Sequence, residues 1–454
     1  MLFQSQAFIL LFLPAVLAAY YAASERPFLR EAILILASLL FYAWWDPRFV
    51  PLLVGQTVAT WLIAEAYLRY PSRLWIVLGI AGNLAVLGFF KYMAFLAGAA
   101  VAVMGIPVQG WSVILPLGIS FYTFELISYL VDLKQGGGRH YPLRQFCLFI
   151  FLFPHLVAGP IIRHNEIIPQ FNLSPLRPGV AMRLAHGIAF FVIGCLKKVF
   201  LADPLASVAD PIFATAQSPT LGDAWLGALA FTFQLFLDFS AYSEMAIGLG
   251  LMLGFRFPDN FNVPYRATDI REFWRRWHMT LSRFLRDYLY IPLGGSRHGS
   301  ATYIQATLIT MGLCGLWHGA GWTFVVWGLL HGLALIACRF WQESGRRLAV
   351  PLAWAVTMLF VIFGWVLFRA ADFSSASGML AGMAGLNGLA GEASWPAVLV
   401  AAAAVSIIGP STKEFVEEWL KPLPAYGVAF ALAAVVAVLE VGKGQPQNFI
   451  YFQF

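Results

Sequence analysis

Charge is scarce in this chain. Of its 454 residues, 11% are Asp, Glu, Lys or Arg, against roughly 25% in soluble proteins, which excludes an ordinary soluble domain. Cysteine is scarce too. Cys147, Cys195, Cys314 and Cys338 lie far apart with no CxxC pair, so neither a disulfide framework nor a cysteine metal site is expected. No HExxH or comparable spacing supports a metal site. There is no GxSxG elbow and no P-loop, so a soluble-type hydrolase and an NTPase have no support. The first apolar run, Ala7–Ala23, follows MLFQSQ, which has no Lys or Arg, so it does not look like a cleaved secretory signal. No internal repeat is visible, which counts against a secondary transporter.

What remains is apolar: 60% of residues are hydrophobic and the mean hydropathy is +0.74. A helical crossing needs roughly 20 mostly apolar residues. Segments of about that kind recur near 7–23, 31–45, 49–68, 74–104, 111–131, 145–162, 184–201, 223–253, 301–316, 321–340, 350–368, 395–409 and 425–441. The expectation is an all-α polytopic membrane protein with about 11–13 helices or partial helices, forming one transmembrane domain over 1–454. The net charge of +6 is no nucleic-acid signature, because the basic residues fall mainly in short loops, where they favour the cytoplasm. Arg26 and Arg30, then the weakly basic Asp46–Arg48 and the clearly basic Arg69–Arg73, alternate in a way that suggests an extracytoplasmic N-terminus. Gly and Pro interrupt LPLGIS (115–120), FPHLVAGPII (153–162) and GLWHGAGW (315–322). Irregular backbone at membrane depth belongs inside protein or along a water-filled cavity, so these breaks imply a central funnel or tunnel. The stretch 254–300 is too polar to span and is expected to be cytoplasmic or re-entrant, with one interfacial helix.

The densest charge lies in Glu272–Arg297, EFWRRWHMTLSRFLRDYLYIPLGGSR. Ionisable groups are expensive beside lipid and are seldom kept without a use. Projected as one helix over Arg271–Leu289, at about 100° per residue, the stretch sorts into three faces. Trp274, Trp277, Leu281, Phe284 and Tyr288 form an apolar face. Glu272 with Arg276, and Arg283 with Asp287, form i,i+4 pairs. Arg271, Arg275, His278 and Ser282 share the third face. Arginines without a local partner suit a phosphate, which guanidinium binds in bidentate fashion. An interfacial helix with its arginines on lipid headgroups explains the same pattern.

His318 stands between apolar segments, among glycines that let a substrate approach the backbone. A neutral imidazole there can act as a general base, or it can be a satisfied structural group. His331, thirteen residues on, falls on roughly the opposite face if one helix continues. His155 follows Pro154 and can line the cavity, whereas His186 is single in an apolar segment. His140, His164 and His298 lie in polar loops. Among buried carboxylates, Glu125 and Asp132 share a helical face, and Asp238 and Glu244 lie in LFLDFSAYSEMAIG. Structural pairing with Arg163, Lys197 or Lys198 is the favoured role for these carboxylates; lining a path is the other.

Several stretches also look familiar. The opening MLFQSQAFILLFLPAVLAAYY, LPLGISFYTFELISYLVD, FPHLVAGPIIR, LDFSAYSEMAIGLGLMLGFRFPDNFNVPY, EFWRRWHMTLSRFLRDYLYIPLGG, GLWHGAGWTFVVWGLLHG and the tail NFIYFQF occur in one order along nearly the whole chain. Together they resemble the membrane-bound O-acyltransferase superfamily, and within it the bacterial alginate O-acetyltransferase branch. The resemblance implies that His318 is the catalytic histidine and that His278 faces the same tunnel. It also implies an acetyl-CoA donor, export-side O-acetylation of a polysaccharide, a periplasmic partner of the SGNH-hydrolase type, and the bacterial inner membrane. Where that branch often has DFSGYSDMAIG, this chain has Ala241 and Glu244. The residues themselves, not the family, suggest that Arg271 and Arg275, with Ser282 and Trp274 beside them, hold the phosphates of acetyl-CoA. No permanently bound cofactor is expected. Two other readings stand beside this one: D-alanyl or other acyl transfer from a carrier protein, against which the alginate-like stretches count, and a transporter whose polar residues line a permeation path.

Overall fold

The computed structural model describes residues 1–104, 113–389, 395–421, 423–443 and 449–450. The family-like tail at 448–454 therefore lies outside the described residues, apart from Phe449 and Ile450. The described residues are helical and connecting, with no strand among them. Among the described residues, seven helices are long and apolar enough to cross a membrane, and an eighth if the bent pair Ala397–Ile408 and Thr412–Trp419 counts as one span. The other apolar segments fold into shorter, more polar or broken helices. At 145–162, for instance, the helix Leu143–Phe151 stops at Leu152 and a single turn, Phe153–Leu156, follows, because Pro154 brings no N–H to continue the ladder.

The chain divides into two compact units. The first comprises Met1–Val192, Ser243–Pro258 and Ala434–Pro446. Its helices start where the sequence offers a stop or a cap. Pro27 begins Pro27–Ala43, and the Ser72 hydroxyl accepts from Leu74 N at the start of Arg73–Leu87. Polar side chains stitch its interior. Gln56 Nε2 donates to Asn83 Oδ1 at 2.8 Å, and Asn83 Nδ2 donates to Thr60 Oγ1 at 3.0 Å, the kind of interhelical bond that lipid cannot replace. Glu125 and Asp132 do share a face of Ile119–Lys134. Each has a histidine beside it: His155 Nδ1 lies 3.1 Å from Glu125, and His164 Nε2 lies 3.1 Å from Asp132.

The second unit comprises Ile193–Tyr242, Asp259–Ala433 and Gln447–Phe454. Its working helices are α1 (Leu221–Met252, which belongs here up to Tyr242), α2 (Ile270–Arg276), α3 (Met279–Leu285), α4 (Gly299–His318), α5 (Trp322–Glu343) and α6 (Val350–Arg369). Lys198 pairs with Asp203 at 2.7 Å and with Asp238 at 2.9 Å, so this buried carboxylate has the structural partner expected of it. α4 and α5 form a hairpin held at backbone distance by glycine. A methyl group on Gly315 would meet the Phe324 carbonyl oxygen at 2.1 Å, and one on Gly328 would meet that of Met311 at 2.1 Å. Small residues at such crossings let membrane helices pack closely.

The single helix projected over Arg271–Leu289 is not what forms. α2 ends at Arg276, Trp277 is extended, and His278 takes the left-handed conformation (φ 42°, ψ 54°) before α3 begins. A distant loop makes the break. Asn262 N donates to Arg276 O at 2.9 Å, Met279 N to Asn260 O at 2.9 Å, and Thr280 Oγ1 to Asn260 Oδ1 at 2.9 Å. Backbone groups flanking the break are thus bonded to the 260–262 loop. Val263, which closes that loop, is the other non-glycine residue with positive φ (43°) among the described residues. Left-handed backbone is uncommon for any side chain and costs of order 1–3 kcal/mol.

Candidate functional site

α2 follows α5 inward. At its start, Asp269 Oδ1 accepts from Glu272 N at 2.7 Å and caps the helix, while Asp269 Oδ2 accepts from Gln342 Nε2 at 3.1 Å. Arg271 Nη1 donates to Gln342 Oε1 at 2.7 Å. One turn further in, the Trp274 indole N–H donates to His331 Nδ1 at 3.2 Å. At the kink, the His278 ring lies 6.4 Å from the His318 ring. Gln342 and Trp327, the α5 neighbours of the two ends of this path, are separated by roughly 22 Å along the helix axis at the usual helical rise.

The inner end is dry and aromatic. His278 is 0% exposed and His318 is 3% exposed. Phe239 of α1 stands edge-on to His278 with centroids 4.7 Å apart. His318 is ringed by Trp317 at 4.9 Å, Trp327 at 5.3 Å and Phe368 at 5.3 Å. His318 is the last residue of α4, and the chain turns back through Gly319 and Gly321 into α5. That reversal brings Trp327 of α5 to His318, and His331, one turn along α5, packs against Trp327 with centroids 4.7 Å apart, so the opposite face that one continuous helix predicts does not apply.

The outer end is polar and basic. Arg271 and Arg275 are exposed. A cleft of ≈ 830 Å³ runs between Asp269, Gln342, Arg346 and Arg347 at its polar end and Phe360 of α6 at its apolar end. The Phe360 ring packs 5.0 Å from His331. Glu272 keeps the i,i+4 bond to Arg276 at 2.8 Å. Burial pushes its carboxyl up, but bonds from the Thr268 backbone N–H, Arg276 and the Thr268 hydroxyl outweigh this and hold it below the ordinary range.

The four residues assigned to donor phosphates do not gather at one point. Arg271 and Arg275 lie outside, Trp274 is buried on His331, and Ser282 Oγ donates to Trp277 O at 3.3 Å. His278 and His318 do come together. The sequence reading missed Arg346 and Arg347, in an unremarkable linker, and the closeness of His331. The signal for His331 was the second His-Gly pair, His331-Gly332, after His318-Gly319. Among the described residues, no three His, Cys, Asp or Glu side chains are grouped to hold a metal.

The stretch from the kink through the α4–α5 hairpin is covered by a family description. The model of MBOAT, the membrane-bound O-acyltransferase family, matches residues 111–375. The chain is 46% identical over 387 residues to the probable alginate O-acetylase AlgI of Pseudomonas aeruginosa, covering 83% of this chain and 73% of that one. The chain belongs to the membrane-bound O-acyltransferase family. Its likeness to the alginate O-acetylases places it in their branch of that family. It is also 40% identical over 425 residues to the peptidoglycan O-acetyltransferase of Helicobacter pylori, covering 86% and 81% of the two chains. A teichoic acid D-alanyltransferase of Streptococcus thermophilus is more distant, 30% identical over 247 residues, 51% of this chain and 59% of the relative. This membrane-bound O-acyltransferase is therefore an acyltransferase and a multi-pass membrane protein. The matched range includes α2 to α6, and so both histidines, His331 and the cleft.

Proposed function

We propose that this enzyme takes an acetyl group from cytoplasmic acetyl-CoA and passes it through a tunnel in the inner membrane for O-acetylation of an exported polysaccharide, alginate or similar. A periplasmic acetyltransferase of the SGNH type completes the transfer alongside the secretion machinery. One observation carries the reading: arginines lie at one end of α5 and the paired histidines near the other, roughly 22 Å apart along its axis. Acetyl-CoA has that form, with phosphates at one end of a long arm and a thioester at the other. Arg271, Arg346 and Arg347 meet the phosphates, by the bidentate geometry that favours arginine for this task. Basic loops at this end agree with a cytoplasmic face.

The chemistry follows from His318. Its neutral imidazole takes the proton from the acceptor hydroxyl. The acceptor oxygen bonds to the thioester carbonyl carbon, and the carbonyl electron pair moves to oxygen. On collapse the carbon–sulfur bond breaks, and the CoA sulfur leaves with the proton returned by His318. General-base assistance contributes about 10²–10⁴-fold, and the aromatic walls keep water from hydrolysing the thioester. His278, beside it, orients the donor. Polysaccharide acetylation in cells making His318→Ala at normal protein levels tests this: loss of acetylation is expected, and full acetylation sinks the assignment. His278→Ala is expected to weaken acetylation without abolishing it. The relatives' names favour acetyl over D-alanyl transfer, since the acetylases are more similar over more of the chain.

A further inference from the structure

Next to His318 lies a set of buried polar atoms that the steps above leave unused. Trp274 Nε1–H donates to His331 Nδ1 at 3.2 Å. That nitrogen is therefore the acceptor of the ring, and the proton of the neutral imidazole sits on Nε2. His331 is 1% exposed and Trp327 is 0% exposed. Neither His331 Nε2 nor Trp327 Nε1 has a hydrogen-bond partner among the described residues. A buried donor left unmet is costly, so such a pair calls for an acceptor. The two nitrogens flank one point: a methyl group on Gly364 of α6 would lie 3.2 Å from His331 Nε2 and 3.4 Å from Trp327 Nε1. The missing side chain of Gly364 thus leaves room at the place where two N–H donors meet. The Trp327 ring is 5.3 Å from that of His318, so this place adjoins the proposed base.

We infer that Trp327 Nε1–H and His331 Nε2–H receive the carbonyl oxygen of the acyl donor. The inference rests on the reading of His318 as the base. When the acceptor oxygen bonds to the carbonyl carbon, the π pair moves onto this oxygen, and the two donors hold the resulting oxyanion until the carbon–sulfur bond breaks. Both donors are neutral and fixed before the reaction, which is what makes such sites effective in a dry interior. Trp274 acts as a positioning residue, because its bond to Nδ1 keeps the His331 proton on Nε2. Gly364 is required as an absence, since any side chain there occupies the oxygen's place.

The test uses the purified full chain in lipid nanodiscs with acetyl-CoA. Removing one oxyanion donor lowers kcat by about 10²–10³-fold in comparable sites, so His331→Ala and Trp327→Phe are expected to lose that much with KM little changed. His331→Gln, which keeps an N–H, recovers part of the loss. Gly364→Ala lowers kcat by filling the space, and it carries the test if either of the other variants fails to fold. The second readout is the infrared C=O stretch of an acetyl-CoA analogue with a methylene in place of sulfur. In the wild type the stretch moves to lower frequency on binding; in His331→Ala it does not. Unchanged kcat in all of these variants, or the same stretch in the wild type and His331→Ala, overturns the inference and leaves the donors to a structural water. His318→Ala keeps the shifted stretch while losing turnover, so failure of the base and failure of the donor pair are told apart.

Discussion

The two units use buried histidine in opposite ways. In the first, His155 sits on Glu125 and His164 on Asp132, each 3.1 Å from a carboxylate. In the second, His278, His318 and His331 stand among Phe239, Trp317, Trp327 and Phe368. A carboxylate at this distance fixes the orientation of an imidazole. Aromatic walls fix its plane and exclude water, leaving the ring nitrogens open to a substrate. A buried histidine is therefore a fastener or a tool according to what surrounds it, and burial alone does not tell which.

The difference can be broken from either side. Glu125→Ala leaves His155 buried without its carboxylate, and leaving a buried polar group unmet costs about 1–3 kcal/mol. The expected outcome is a sharp fall in the yield and melting temperature of detergent-purified protein, whereas His318→Ala leaves both near wild type and removes turnover. Within the second unit, Gly328→Ala drives a methyl group against the Met311 carbonyl oxygen. Overpacking of this kind costs about 1–3 kcal/mol, so a lowered melting temperature is expected together with reduced kcat, because His318 ends the helix that must shift. Loss of both sharpens the view that the hairpin sets the geometry of the base.

Smaller effects belong to the basic end. Arg346→Ala with Arg347→Ala is expected to raise KM for acetyl-CoA about tenfold, the worth of one charged hydrogen bond, while kcat stays put; unchanged KM in steady-state assays moves the phosphates elsewhere. Glu272→Gln is the mildest change, at about 1 kcal/mol or less for a partly exposed pair. Its folded pKa is depressed, so the carboxylate's contribution is present above the ordinary carboxylate pKa and is lost as pH falls through the folded value. Melting curves of wild type and Glu272→Gln should thus differ at neutral pH and converge in acid.

Composition and hydropathy were enough to read an all-helical membrane protein, since recurring apolar runs of about 20 residues fit helical crossings and not the short alternating segments of a barrel. The pairing of His278 with His318 came from the resemblance, because forty residues of chain separate them. Three things were out of reach. The kink at His278 is imposed by Asn260 and Asn262, whose backbone bonds cannot be foreseen from helical periodicity. The place of His331 depends on whether one helix continues past His318, and the break at Gly319–Gly321 removes that condition. The histidines beside Glu125 and Asp132, His155 and His164, come from a later turn and loop of the chain, beyond what helical periodicity can pair.

The left-handed backbone at His278 sets two kinds of selection against each other. Asn tolerates that conformation better than a bulky ring does, and so does Gly. A screen that rewards only robust, well-expressed protein will move position 278 toward such residues. A screen that rewards acetylated polymer will hold the histidine. Where the two screens part company, the cost in stability is the signature of a residue kept for its chemistry.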